Sequence, residues 1–125
     1  MSFSLKKHEI LRSKKNIKEL FENGSSFFLY PFKVHYLPNP DSPNTQVLFS
    51  VSKRNFKKAV DRNLLRRRLR EAYRLNKNIL TIVEKDQFSL SIALVYISRF
   101  KLPYKEIEDK LKQVFVRLNK TKYQK

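Results

Sequence analysis

The 125-residue chain has no cysteine, a single glycine and only eleven acidic residues, and it contains no long apolar run. Without cysteine there is no disulfide framework, no thiolate metal site and no cysteine nucleophile. One glycine excludes a glycine-rich phosphate-binding loop. No window approaches the roughly 18 consecutive apolar residues of a membrane-spanning helix, and no signal-peptide apolar block follows the N-terminal charges. The sequence therefore reads as neither membrane-inserted nor secreted, and a cytoplasmic location is expected. The acids are scattered among basic residues, with no paired carboxylates in apolar surroundings and no Ser/His/Asp order, so no catalytic residue is expected on the protein. His35 is one of only two histidines. It has no second ligand at metal spacing, and neither a metal site nor a small-molecule substrate is expected.

What the chain has in excess is positive charge. Lys and Arg number 28 against 11 Asp and Glu, a formal net charge of +17. A cation this strong seeks nucleic acid, an anionic membrane surface or an acidic protein, and nucleic acid is the commonest of the three. The distribution is uneven. Lys6, Lys7, Arg12, Lys14, Lys15 and Lys18 crowd the N-terminus, and Lys53 to Arg74 holds the densest block, much of it arginine, the better bidentate phosphate ligand.

With 41% hydrophobic residues, including ten Phe and six Tyr, the chain can build one packed core. The whole chain, 1–125, reads as a single RNA-binding domain, with 1–12 and 119–125 as flexible basic tails. Ser13 can cap a first helix from Lys14 to Glu22, with Ile17, Leu20 and Phe21 on one face and Asn23-Gly24 ending it, Gly24 in the left-handed conformation. Ser26 to Leu37 alternates as a strand, with an extra short strand around Phe27 to Tyr30 as an option. Three of the five prolines fall in the connection from Pro38 to Asn44, after which Gln46 to Ser52 resumes alternation. Lys57 to Asn76 turns helical. Leu90, Ile92, Leu94 and Tyr96 mark another strand, and a last helix starts near Pro103, with Ile107, Leu111, Val114, Phe115 and Leu118 as its buried stripe. The expected fold is α+β: a single-domain two-layer sandwich with a small, mainly antiparallel sheet, helices and strands in the order α-β-β-(β)-α-β-α, and one sheet face partly open.

The helix from Lys57 to Asn76 carries the most information. At about 100° per residue, Asn63, Arg66, Arg67, Arg70 and Arg74 share one arc beside the apolar stripe of Leu65, Leu69, Ala72 and Tyr73. Like charges four residues apart repel, an arrangement that suits a polyanionic partner. Arg62 and Arg68 lie nearer the edges of the apolar stripe, where packing and binding are equally open to them. Single-stranded RNA is held by a basic groove with exposed rings. Lys33, His35 and Lys53 supply charge for such a groove, and Phe21 fits either a core position or an exposed ring.

The run Lys58-Ala59-Val60-Asp61-Arg62-Asn63-Leu64-Leu65-Arg66-Arg67-Arg68-Leu69-Arg70-Glu71 closely resembles the signature helix of the protein subunit of bacterial ribonuclease P. Val51-Ser52-Lys53-Arg54 looks like that family's strand end, Ile17 to Gly24 like its first helix and Leu102-Pro103-Tyr104-Lys105-Glu106 like the start of its last. Two positions depart from the pattern: Leu64 stands where the family usually has arginine, and Asn55-Phe56-Lys57-Lys58 lacks the glycine many members carry. The resemblance implies a ribonucleoprotein endonuclease for tRNA 5′ processing whose chemistry is carried by the RNA subunit, with Mg²⁺ held through RNA. Its partners would be the catalytic RNA and precursor tRNA. Arg62, Asn63, Arg66, Arg67 and Arg70, with Arg74 on the same arc, would face the catalytic RNA. Ile17, Phe21, His35, Ser50, Ser52 and Lys53, with Lys33 and Arg54, would receive the 5′ leader. The rival readings are a basic ribosomal protein and, less favoured, a DNA-binding regulator, against which the nearly pure arginine face counts because base reading calls for Asn, Gln and Ser.

Overall fold

The structure, a computed structural model, describes residues 5–40, 42–80 and 89–121. Its elements are helix α1 (Lys14–Asn23), strands β1 (Ser25–Leu29), β2 (Phe32–Pro38) and β3 (Gln46–Val51), helix α2 (Ala59–Asn76), strand β4 (Leu90–Tyr96) and helix α3 (Tyr104–Lys120). The four strands lie in the order β1-β2-β4-β3, antiparallel except for the β3–β4 pair. The α+β architecture is the one read from the sequence, and the optional extra strand is present. The strand-like run after Gly24 divides at Tyr30-Pro31, a cis peptide, into the hairpin β1–β2. Both halves carry aromatic and aliphatic residues, Phe27, Phe28 and Leu29 in the first and Phe32, Val34 and Tyr36 in the second, so the run reads as one strand.

Alternation sorts the sheet into two faces. Phe32, Val34, Val47, Val51, Leu90, Ile92, Leu94 and Tyr96 point to one side and are buried there against α2 and α3. α2 contributes Leu65, Leu69, Ala72 and Tyr73; α3 contributes Ile107, Leu111, Val114, Phe115 and Leu118, the stripes their periodicity predicts. Asn76, at the end of α2, is buried but satisfied, donating to the Ala72 carbonyl at 2.8 Å and to Glu108 on α3 at 3.0 Å. Tyr104 also donates to Glu108, and burial beside that carboxylate pushes its hydroxyl pKa up to about 12. Pro103 occupies the N-cap of α3, one residue before the expected first helical position.

The opposite face is only half covered. α1 lies over it with Leu20, joined by Leu11, Ala93 and the partly buried Ile17, Leu37 and Leu48. The N-terminal segment expected to be a flexible tail is packed as far as it is described. Leu11 is buried and donates its N–H to Val47, Ile10 bridges Val47, and Glu9 pairs with Lys77 at 2.8 Å. At the other end, α3 runs on to Lys120, and Asn119 donates to the Ile79 carbonyl.

Ser13 caps α1 by accepting from Asn16 N–H, as expected, but Gly24 is not left-handed. Its φ of −76° is open to any residue. Glycine is required by proximity: a Cβ there would collide with the Leu20 carbonyl oxygen and lie 2.9 Å from that of Tyr36. Gly24→Ala is therefore expected to cost roughly 1–3 kcal/mol through forced displacement of α1 from the hairpin. Urea denaturation checks this, and a loss below a few tenths of a kcal/mol would contradict it.

Candidate RNA interface

The arginine arc of α2 comes to lie against the free edge of the sheet. Asn63, Arg66, Arg67 and Arg70 line one groove whose apolar wall is Ile10, Leu48 and Phe49. All four helix residues are exposed, and Arg66 donates to the Asn63 side-chain oxygen at 3.2 Å. Among the described residues no carboxylate lies within ion-pair distance of Arg66, Arg67 or Arg70. The helix's acids are engaged elsewhere, Asp61 with Lys101 and Glu71 with Arg74. Arg74 thus belongs to the arc by position but is held by Glu71, whose carboxyl lies below its ordinary pKa because of that hydrogen bond.

The two arginines at the edges of the stripe serve the fold. Arg62 donates to the carbonyls of Phe56 at 2.8 Å and Lys57 at 2.9 Å, tying the start of α2, which has no side-chain cap, to the loop before it. Arg68 donates to the Leu102 carbonyl at 2.7 Å, fastening α2 to the segment before α3. Leu64 is half-buried.

The second set of expected site residues spreads over the uncovered half of the sheet's other face. Sheet register places Phe28, Lys33, Val95 and Ser50 in one row across the four strands, and Ser26, His35, Ala93 and Leu48 in the next. α1 covers the Leu48 and Ala93 end of the second row; the first row stays open. Phe21, 44% exposed, projects from α1 with its ring 4.6 Å from that of His35. Ile17, in contrast, packs with the α1 cluster. Ser52 accepts from the Arg54 N–H at 3.0 Å in the turn after β3, where Lys53 and Arg54 are exposed. Arg54 shares a shallow basin with Asn55, Ile97 and Arg99.

Arg99, Asn55 and the exposed Phe28 went unrecognised in the sequence. The signal for Phe28 was its parity with Lys33, visible only once the hairpin register is known. His35 sits under partial burial and beside Lys33, both of which lower its pKa from 6.5. The folded chain binds that proton less tightly than the unfolded chain, so this residue's contribution to stability is complete above pH 6.5 and declines as pH falls toward the folded-state value. His35→Gln is expected to remove this acid-side loss. Stability measured at several pH values for both proteins, with an NMR titration of the ring, checks it; a His35 pKa at or above 6.5 would be the contrary result.

The remaining electrostatics are simple. Among the described residues no three His, Asp or Glu side chains converge. No helix among them is long and apolar enough to cross a membrane. An α+β domain whose helix arginines lack carboxylate partners, beside a basic, ring-bearing open sheet face, has the features of the nucleic-acid-binding class.

Comparison with known proteins makes the class specific. The family model described as Ribonuclease P matches residues 5–119. The chain is 32% identical over 120 residues to the ribonuclease P protein component of Porphyromonas gingivalis, covering 94% of this chain and 88% of that protein. It is 42% identical over 105 residues to that of Chlorobium phaeobacteroides, covering 75% and 72%. Solved structures of the RNase P proteins from Staphylococcus aureus (TM-score 0.72, 19% identity, 90% of this chain and 95% of that one) and Thermotoga maritima (TM-score 0.72, 22% identity, 87% and 96%) share the fold. The chain belongs to the ribonuclease P protein family.

Proposed function

We propose that this chain serves as the protein component of ribonuclease P, an endoribonuclease, by holding the catalytic RNA on the arginine face of α2 and the 5′ leader of precursor tRNA on the open sheet face. The observation that carries this reading is that the two surfaces meet at β3. Leu48 and Phe49 border the arginine groove, while the next residue, Ser50, stands in the open row with Lys33. A folded RNA on one side and a flexible strand on the other would thus touch adjacent residues of one strand.

The chain's own part is binding and orientation. Arg66, Arg67 and Arg70 offer fork-shaped donors to phosphates, and Asn63 offers an amide that can donate or accept toward a ribose hydroxyl. Phe21, His35, Lys33 and the Lys53-Arg54 turn offer rings and cations to unstacked bases and their backbone. The chemistry would belong to the RNA, with Mg²⁺ held by RNA phosphates, and the protein's positive charge would lower the repulsion between those phosphates. The cytoplasm is the place such a substrate occupies in a bacterial cell.

The test is 5′ maturation of precursor tRNA by a bacterial catalytic RNA at low Mg²⁺, with and without this protein. Strong stimulation is expected, and it should not be competed away by duplex DNA at equal nucleotide concentration. No stimulation would overturn the reading.

A further inference from the structure

Phe28 is 65% exposed, although it lies within a strand between the buried Phe27 and the partly buried Leu29, its immediate neighbours in the chain. It belongs to the row that α1 leaves uncovered, in register with Lys33, Val95 and Ser50. The Lys33 ammonium lies 5.2 Å from the centroid of its ring. An exposed ring under a cation, on a strand at the edge of the sheet, contributes nothing to the core. One row further along the strands, about 7 Å away at two residues of strand rise, Phe21 tilts against His35. The uncovered face therefore carries two ring stations in successive rows, each with a basic residue beside it.

We propose that Phe28 and Lys33 form a second base-stacking station, which takes a nucleotide of the single-stranded leader neighbouring the one held at Phe21 and His35. The inference rests on the leader-binding reading above. Charge selects the occupant. A second copy of the chain would bring another +17 surface to the same row, whereas RNA brings a flat base for the ring and a phosphate for the ammonium. No carboxylate occupies the row to neutralise Lys33 in any other way.

The experiment uses holoenzyme reconstituted with a bacterial catalytic RNA and precursor tRNAs whose leaders grow one nucleotide at a time, with 2-aminopurine placed at each leader position in turn. Phe28→Ala is expected to leave affinity unchanged for the shortest leaders and to lower it about fivefold or more once the leader reaches the station. Phe28→Tyr should keep the affinity, and fluorescence quenching should be lost in the alanine variant at one position adjacent to that affected by Phe21→Ala. Denaturation midpoints of both Phe28 variants report folding. An equal loss at every leader length, or no loss at any, while Phe21→Ala still acts through the leader, overturns the second station and leaves leader binding standing. Leader-independent behaviour of every variant overturns the leader reading itself. A dimer in sedimentation that Phe28→Ala dissolves would assign the surface to a second copy and overturn the proposal.

Discussion

Replacing Arg67 and Arg70 together by alanine is expected to weaken binding of the catalytic RNA about a hundredfold at low salt while leaving the free protein slightly more stable. Both side chains line the groove beside β3, and no described carboxylate pairs with either. Each hydrogen bond to a charged phosphate contributes about 1.5–3 kcal/mol, so losing one from each arginine, at the lower end of that range, removes about 3 kcal/mol. The slope of log affinity against log salt should fall by about 1.5 to 2, since each lost phosphate contact releases fewer counterions. Stability moves the other way. Arg70 lies four residues from both Arg66 and Arg74, and relieving such repulsion is worth a few tenths of a kcal/mol. Arg68→Ala is the control: it frees the Leu102 carbonyl from its donor, so it should lower stability and leave the salt slope nearly unchanged. A double variant with the parental slope would remove these arginines from the interface.

That contrast between neighbouring arginines marks how far the sequence could be read. Helical periodicity put Arg67 and Arg70 on the exposed arc and Arg62 and Arg68 at the margin of the apolar stripe, and the structure keeps that division. Periodicity could not say that the marginal pair would find backbone carbonyls, because those carbonyls come from loops six residues before and thirty-four residues after. The Ser13 cap and the helix stripes are local properties and were legible: the Leu65-Leu69-Ala72-Tyr73 face and the Ile107-to-Leu118 face. The sheet was legible strand by strand, but its pairing was not. The hairpin turn at Tyr30-Pro31 sits inside the aromatic-rich run from Phe27 to Phe32, and its register alone brings Phe28 beside Lys33. Gly24 was assigned to the right place for the wrong reason, since a close approach between α1 and the Tyr36 carbonyl is a tertiary fact. Burial of Leu11 is likewise tertiary: the basic stretch 6–12, with only Ile10 and Leu11 apolar, has no periodicity, and the edge of β3 gives it somewhere to pair.

Phe115→Ala should cost the free protein about 3–5 kcal/mol and lower the melting temperature by roughly 10 °C or more, measured by urea and thermal denaturation. The ring is fully buried on α3 and meets Tyr73 of α2 edge-on, 5.6 Å between centroids at 72°. Tyr73 in turn meets Phe49 of β3 at 5.7 Å, so the three rings connect α3, α2 and the sheet edge that borders the arginine groove. Truncation leaves a cavity at the α3 end of this stack and removes the edge-to-face contact with Tyr73 as well as transfer energy. For a small domain with about 5–15 kcal/mol in total, the loss is a large fraction of the whole. Its functional consequence differs in kind from that of the arginine variant. The binding groups remain, so RNA at about a hundred times its dissociation constant should restore about 2.7 kcal/mol by mass action, and cooling toward the temperature of maximum stability should recover stimulation. The arginine variant gains from neither treatment beyond ordinary saturation. A Phe115→Ala protein that loses less than about 1 kcal/mol would mean that α3 does not hold α2 in place, and the rigid presentation of the arginine face would need another source.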